Sequence, residues 1–184
     1  MSDITPQEVG EIYDFAVQLG KDAGRLLMGF AKARWGDTGS GGEQLFSAKD
    51  NAVGIVTKAD EDVEDFIQSS IEKYPSHKFI GEETHSKGAS REYLIGPEPT
   101  WCVDPLDGTV NYTHLFPMFC VSIALVVGGE ATIDVIYAPF LDQLFSACKG
   151  RGAWLNETQR LPLIRNPVPP LPARAPGGCV FSCE

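Results

Sequence analysis

Between residues 101 and 109 an apolar run stops on two aspartates, in Trp101-Cys102-Val103-Asp104-Pro105-Leu106-Asp107-Gly108-Thr109. Three apolar residues in a row predict a short buried strand. Pro105 fixes φ and has no N–H, so a tight turn is expected directly after that strand. Two carboxylates held so close repel unless one is protonated or a cation lies between them. Another acid, Glu82, follows a second short apolar run, Lys78-Phe79-Ile80-Gly81. If the two strands are neighbours, Glu82, Asp104 and Asp107 converge. An all-oxygen ligand set selects a hard cation, and Mg2+ is the usual one beside phosphate.

The net charge sharpens this reading. The chain has 25 Asp+Glu against 15 Lys+Arg, a formal balance of −10. Nucleic acid and anionic membranes need a basic face, so neither is expected as a partner. An acidic protein can still hold an anionic phosphate if a metal reverses the local sign. Gly108-Thr109 is expected to open a short helical segment whose free N–H groups face the same spot. Asp60, in Thr57-Lys58-Ala59-Asp60, is expected in the first turn of a helix. There it either complements the helix dipole or holds a threonine hydroxyl or a metal-bound water.

The remaining pattern supplies a scaffold. Residues 5–33 predict one amphipathic helix, opened by the capping box Thr5-Pro6-Gln7-Glu8. Its expected apolar stripe is Val9, Ile12, Ala16, Leu19, Ala23, Leu26 and Phe30. Residues 36–50 are rich in Gly and Ser and read as a loop ending at Lys49, which is expected to be a plain solvated lysine. A second helix is expected from near Lys58 to Tyr74, with Val63, Phe66, Ile67, Ile71 and Tyr74 on its apolar face. Strands follow at 78–81, 101–103, 119–127, 131–137, 143–148 and 153–155, with a Gly128-Gly129 hairpin turn. Helices followed by hairpin-linked strands describe an α+β layered domain with a large antiparallel sheet.

Residues 162–178 contain six prolines, and Cys179-Val180-Phe181-Ser182 reads as the opening of a further strand. The expected organisation is therefore a metal-binding α+β domain over 1–160. A Pro-rich connection and the start of a second domain occupy 161–184, so the chain is expected to be the N-terminal portion of a longer protein. The longest apolar run, 119–127, falls far short of the ~20 residues needed to span a bilayer. The N-terminus has acids where a signal peptide needs basic residues. Five cysteines, an odd number with no zinc-site spacing, are expected to be free thiols, which fits the cytoplasm.

Read to Thr113-His114, the 101–114 string closely resembles the first signature of the inositol monophosphatase family, W-x-(I/V)-D-P-(I/L)-D-G-T-x-N-(F/Y)-x-H. Val56-Thr57-Lys58-Ala59-Asp60, Tyr74-Pro75-Ser76-His77, Gly81-Glu82-Glu83 and Gly150-Arg151-Gly152-Ala153-Trp154-Leu155-Asn156 match further family elements in order. The resemblance implies a layered α/β/α/β/α fold and hydrolysis of phosphate monoesters with two or three Mg2+ ions. Glu82, Asp104 and the Leu106 carbonyl would carry the first ion. Asp104 and Asp107 would share the second. Gly108 and Thr109 would offer N–H groups to phosphate, and Thr109 with Asp60 would orient the attacking water. Glu83 would support the site, His114 would be structural, and a homodimer would be in keeping with the family.

The family's second signature, W-D-x-A-x-G, is not found: none of the three tryptophans is followed by Asp. Its Asp would be the third carboxylate of the second ion. Inositol monophosphate is the first expected substrate. A bisphosphate nucleotidase or sugar bisphosphatase is the alternative, and a catalytically inactive truncated subunit is the alternative of another class.

Overall fold

The computed structural model describes residues 4–34, 52–86 and 95–163. The 36–50 loop with Lys49, the prolines beyond 163 and the strand expected at Cys179 lie outside the described residues. So does most of the expected 161–184 connection.

Helix α1 (Pro6–Arg34) begins as its capping box requires. The Thr5 N–H donates to the Glu8 carboxylate at 2.7 Å, and the Glu8 N–H donates back to the Thr5 hydroxyl at 3.2 Å. Ile12, Ala16, Leu19 and Ala23 are buried as expected, but Leu27 and Ala31 are buried where Leu26 and Phe30 were expected. A helix turns every 3.6 residues, so a stripe continued in steps of three and four drifts off the buried line over seven turns. Glycines let α1 lie close to the sheet. A Cβ at Gly24 would come within 2.4 Å of the Tyr137 ring, and one at Gly20 within 2.9 Å of Val135.

Helix α2 (Ala52–Ile71) starts earlier than its expected origin near Lys58. It also stops earlier, with the Tyr74 N–H on the Ile71 carbonyl at 2.8 Å. Val63, Ile67 and Ile71 are buried, whereas Phe66 is exposed. Tyr74 stacks on the His77 ring beside Phe15 and Trp101, and Trp101 donates its indole N–H to His77 Nδ1 at 3.0 Å.

Among the described residues, seven strands form one sheet in sequence order. They are β1 (Lys78–Gly81), β2 (Thr100–Asp107), β3 (Cys120–Val127), β4 (Glu130–Ala138), β5 (Gln143–Cys148), β6 (Gly152–Leu155) and β7 (Gln159–Arg160). Two short helices intervene, α3 (Glu82–Ser86) after β1 and α4 (Thr109–Thr113) after β2. The sheet is mixed, not purely antiparallel: β1 runs parallel to β2, in register Gly81↔Val103, and every other pair is antiparallel. Strand direction is not written in a short apolar run, so the parallel edge escaped the sequence. Strand β7, two exposed residues long, escaped it too.

Side chains alternate between the faces. Trp101, Val103, Val121, Ile123, Leu125, Ile133, Val135, Leu144 and Cys148 are buried on the face that packs against α1 and α2. Cys102, Asp104, Ser122, Ala124 and Phe145 occupy the alternate positions and are more exposed. Among the described residues no helix is long and apolar enough to cross a membrane. Cys102, Cys120 and Cys148 are free thiols.

Candidate active site

The parallel pairing of β1 and β2 brings the ends of both strands together, so Glu82 emerges beside the Asp104 end of β2. The pairing meets the condition that the two strands be neighbours, and it places Glu82 beside Asp104.

Pro105 lies inside β2, not in a turn after it. The β2–β3 pairing passes from Asp104↔Ser122 to Asp107↔Cys120, so β2 carries one more residue than its partner across the same gap. That is a bulge, the place where an interior strand tolerates a residue with no N–H. The bulge turns the aspartates. Asp104 folds back to accept the Leu106 N–H at 3.0 Å, and Asp107 ends the strand with an exposed side chain. The Cys120 thiol donates to Asp107 Oδ2 at 3.6 Å. The Leu106 side chain is buried, which fixes its backbone carbonyl.

Gly108 follows with φ +88°, and a Cβ there would meet the Met118 carbonyl at 2.8 Å. Only glycine fits both conditions. Helix α4 then starts, with the Tyr112 N–H on the Gly108 carbonyl at 2.9 Å. The Tyr112 hydroxyl donates to the Leu27 carbonyl of α1 at 2.8 Å, which ties α4 to the scaffold. The Thr109 hydroxyl donates to the Leu106 carbonyl at 3.1 Å. That bond joins one expected phosphate contact to one expected metal ligand, whereas the expected Thr109–Asp60 pair is not formed. His114 contributes its backbone N–H, on the Val110 carbonyl at 3.2 Å, and its ring is exposed.

Asp60 sits well inside α2, not in its first turn, so the dipole argument for it falls away. It is 6% exposed, and its Oδ1 is buried with no hydrogen-bond partner. Burial, followed by the charges of Glu83, Asp104, Glu82 and Glu64, pushes its carboxyl up to about 8. Asp104 is pushed up to about 7, first by burial, then by the charge of Glu82 and a hydrogen bond with it. The Leu106 N–H works the other way. Acids raised by one another share a common space and hold protons against repulsion.

The donor set fits a hard cation. It is all oxygen, and it contains an orphaned buried carboxylate oxygen. Yet among the described residues no three acidic, histidine or cysteine side chains stand in a ready-made ligand cage. The side chains of Glu82, Asp104 and Asp107 therefore share one neighbourhood without the spacing of a preformed site.

One residue of this cluster escaped the sequence. Glu64 is 2% exposed and takes the Glu83 and Thr84 N–H groups at 2.8 and 2.7 Å. An acid on a helix reads as solvated, and only its spacing of four from Asp60 on the same helix face could have marked it.

An α+β scaffold with acids gathered at the ends of a parallel strand pair defines the class of protein. A profile of the inositol monophosphatase family matches residues 8–182, and the chain belongs to that family. It is 62% identical over 189 residues to Quinic acid degradation cluster protein x of Neurospora crassa, covering 98% of this chain and 55% of that protein. It is 59% identical over 183 residues to Protein qutG of Emericella nidulans, covering 98% and 54%. Inositol monophosphatase II of Staphylococcus aureus superposes with a TM-score of 0.65 at 29% identity, over 82% of this chain and 51% of that one. The chain thus spans about half the length of these relatives.

Proposed function

We propose that the chain carries the metal- and phosphate-binding part of a Mg2+-dependent phosphomonoesterase. The observation that carries this reading is the buried acid cluster with the unpartnered Asp60 Oδ1. Glu82, Asp104 and the Leu106 carbonyl would hold one Mg2+, and Asp104 with Asp107 would hold a second. When bound, Mg2+ supplies a lowered pKa for water and charge stabilisation for the leaving oxygen.

The chain's own groups do the rest. Gly108 lets the backbone after the bulge approach a phosphate without a side chain in the way. The Thr109 and Gly108 N–H groups orient that phosphate. Asp60, buried with an unpartnered carboxyl oxygen, would hold the attacking water or the Thr109 hydroxyl. The Thr109 hydroxyl, on the Leu106 carbonyl here, would serve as an orienting donor.

Inositol monophosphate is the substrate that family membership favours. A second reading has its own support: two close relatives carry quinic acid degradation or qut names. Quinic acid is a polyhydroxylated six-membered carbocycle, as inositol is, so a phosphorylated cyclic hydroxy acid would present a similar ester. The free thiols Cys102, Cys120 and Cys148 favour the cytosol.

Phosphate release should be measured with Mg2+ on inositol monophosphate, a phosphorylated cyclic hydroxy acid, a sugar bisphosphate and a nucleoside bisphosphate. Mg2+-dependent release from one of the first two supports the reading. Preference for a bisphosphate moves the chain to the alternative branch. The 184-residue chain alone should turn over slowly, because W-D-x-A-x-G is not in it. Absence of release from every ester by a form that contains that signature would overturn the proposal. Thr109→Ala should lower kcat by roughly 10² with little change in KM.

A further inference from the structure

Strand β1 ends at Gly81 and α3 starts at Glu82 with no residue between them. A helix start is usually satisfied by a short polar side chain at the residue before it. Here that residue is glycine, and the acceptor comes from another helix. Glu64 Oε2 accepts the Glu83 N–H at 2.8 Å, and Glu64 Oε1 accepts the Thr84 N–H at 2.7 Å. The Thr84 hydroxyl also donates to Oε1. A Cβ at Gly81 would lie 2.4 Å from the Glu64 carboxyl carbon, so glycine is what admits the carboxylate.

Burying a carboxylate is costly, and water or a surface cap would satisfy the same N–H groups more cheaply. What the buried arrangement adds is a fixed joint. Glu82 is the first residue of α3, which follows β1 where that strand pairs in parallel with β2, so it emerges beside the Asp104 end of β2. Its direction depends on how the first turn of α3 is held. Glu64 also lies one turn from Asp60, so α2 sets both the orphaned acid and the clamp.

We propose that Glu64 is a positioning residue that holds the start of α3 so that Glu82 faces Asp104, and thereby sets the affinity of the acid cluster for Mg2+. This rests on the metal reading above and adds to it a residue that touches no metal. Loosening the joint leaves every ligand present but lets Glu82 wander, so binding weakens without loss of a ligand.

The test is calorimetric Mg2+ binding without substrate, with thermal melts in chelator, on the full chain. Wild type is compared with Glu82→Gln, Glu64→Gln, Thr84→Val and Val63→Ala. Val63 is buried on the same helix and makes no bond to α3, so its variant controls for lost stability. Glu64→Gln turns an amide NH2 toward one backbone donor and should weaken Mg2+ binding on the order of tenfold. Thr84→Val, which removes one of three donors, should shift affinity the same way by less, and it serves if Glu64→Gln fails to fold. Val63→Ala should melt lower and bind Mg2+ within about twofold of wild type. Wild-type affinity in Thr84→Val and Glu64→Gln overturns the proposal. So does an affinity loss in all variants that merely follows melting temperature. Wild type whose Mg2+ binding ignores Glu82→Gln overturns the metal reading instead, and the proposal with it.

Discussion

Asp60 and Glu64 stand one turn apart on α2, both buried, and their carboxylates are satisfied in opposite ways. Glu64 is held by two backbone N–H groups and a hydroxyl, whereas Asp60 Oδ1 has no partner. An unmade buried hydrogen bond costs about 1–3 kcal/mol. A fold that satisfies one acid so fully and leaves its neighbour bare reserves the second for something other than stability.

That reservation has a pH signature. Asp60 titrates near 8 when folded, against an ordinary value of 3.8. Between those values the folded chain keeps a proton that the unfolded chain has released. Stability contributed by Asp60 therefore falls as pH rises through this window and levels off above it. His77, held below 6.5 by burial, works in the opposite direction at the acid end. The comparison is therefore wild type minus Asp60→Asn, melted in chelator from pH 5 to 9. The difference should shrink in favour of the variant as pH rises to about 8. A difference independent of pH would show that Asp60 is not raised.

Asp104→Asn should separate stability from activity. Removing one charge from the Glu82–Asp104 pair relieves repulsion, so the metal-free variant should melt higher than wild type at pH 8. The same change should abolish Mg2+-dependent phosphate release. Retention of more than about a tenth of the wild-type rate, in a form that turns over, would remove Asp104 from both metal sites.

Gly108→Ala should cost about 2 kcal/mol or more in urea unfolding. Its φ of +88° and the 2.8 Å approach to the Met118 carbonyl each oppose a Cβ. An unchanged unfolding midpoint would mean that the bulge and α4 relax freely, which contradicts their tight packing.

Tyr112→Phe should lower stability by about 1 kcal/mol through loss of its hydroxyl bond to the Leu27 carbonyl. The ring would keep its edge contact with Phe119, so Mg2+ dependence should not change. A large change in the Mg2+ profile would show that α4 is steered by that one bond.

Much of this arrangement was legible in the sequence because local chemistry wrote it there. The capping box at Thr5 and Glu8 forms as spaced, and the Gly128-Gly129 hairpin forms where two positive φ angles are needed. Pro105 correctly marked an interruption, but the interruption is a bulge within β2. Proline reports only a missing N–H, and either structure supplies one. The start of α2 was lost because Gly54, Val56 and Thr57 are weak helix formers that tertiary packing overrides. With it went the correct setting of Asp60. Glu64 was illegible for another reason: its meaning lies in Gly81, Glu83 and Thr84, which only folding brings to it.

The Gly128-Gly129 turn also has a use at the bench. Thr100, where β2 begins, pairs with Val126, so this turn lies at the opposite end of the strands from Asp104 and Asp107. Among the described residues, nothing beyond its chain neighbours lies within 4 Å of where a Cβ on either glycine would sit. A fluorescent reporter or affinity handle spliced there would hang clear of the acids, and would let the chain be labelled and immobilised without touching them.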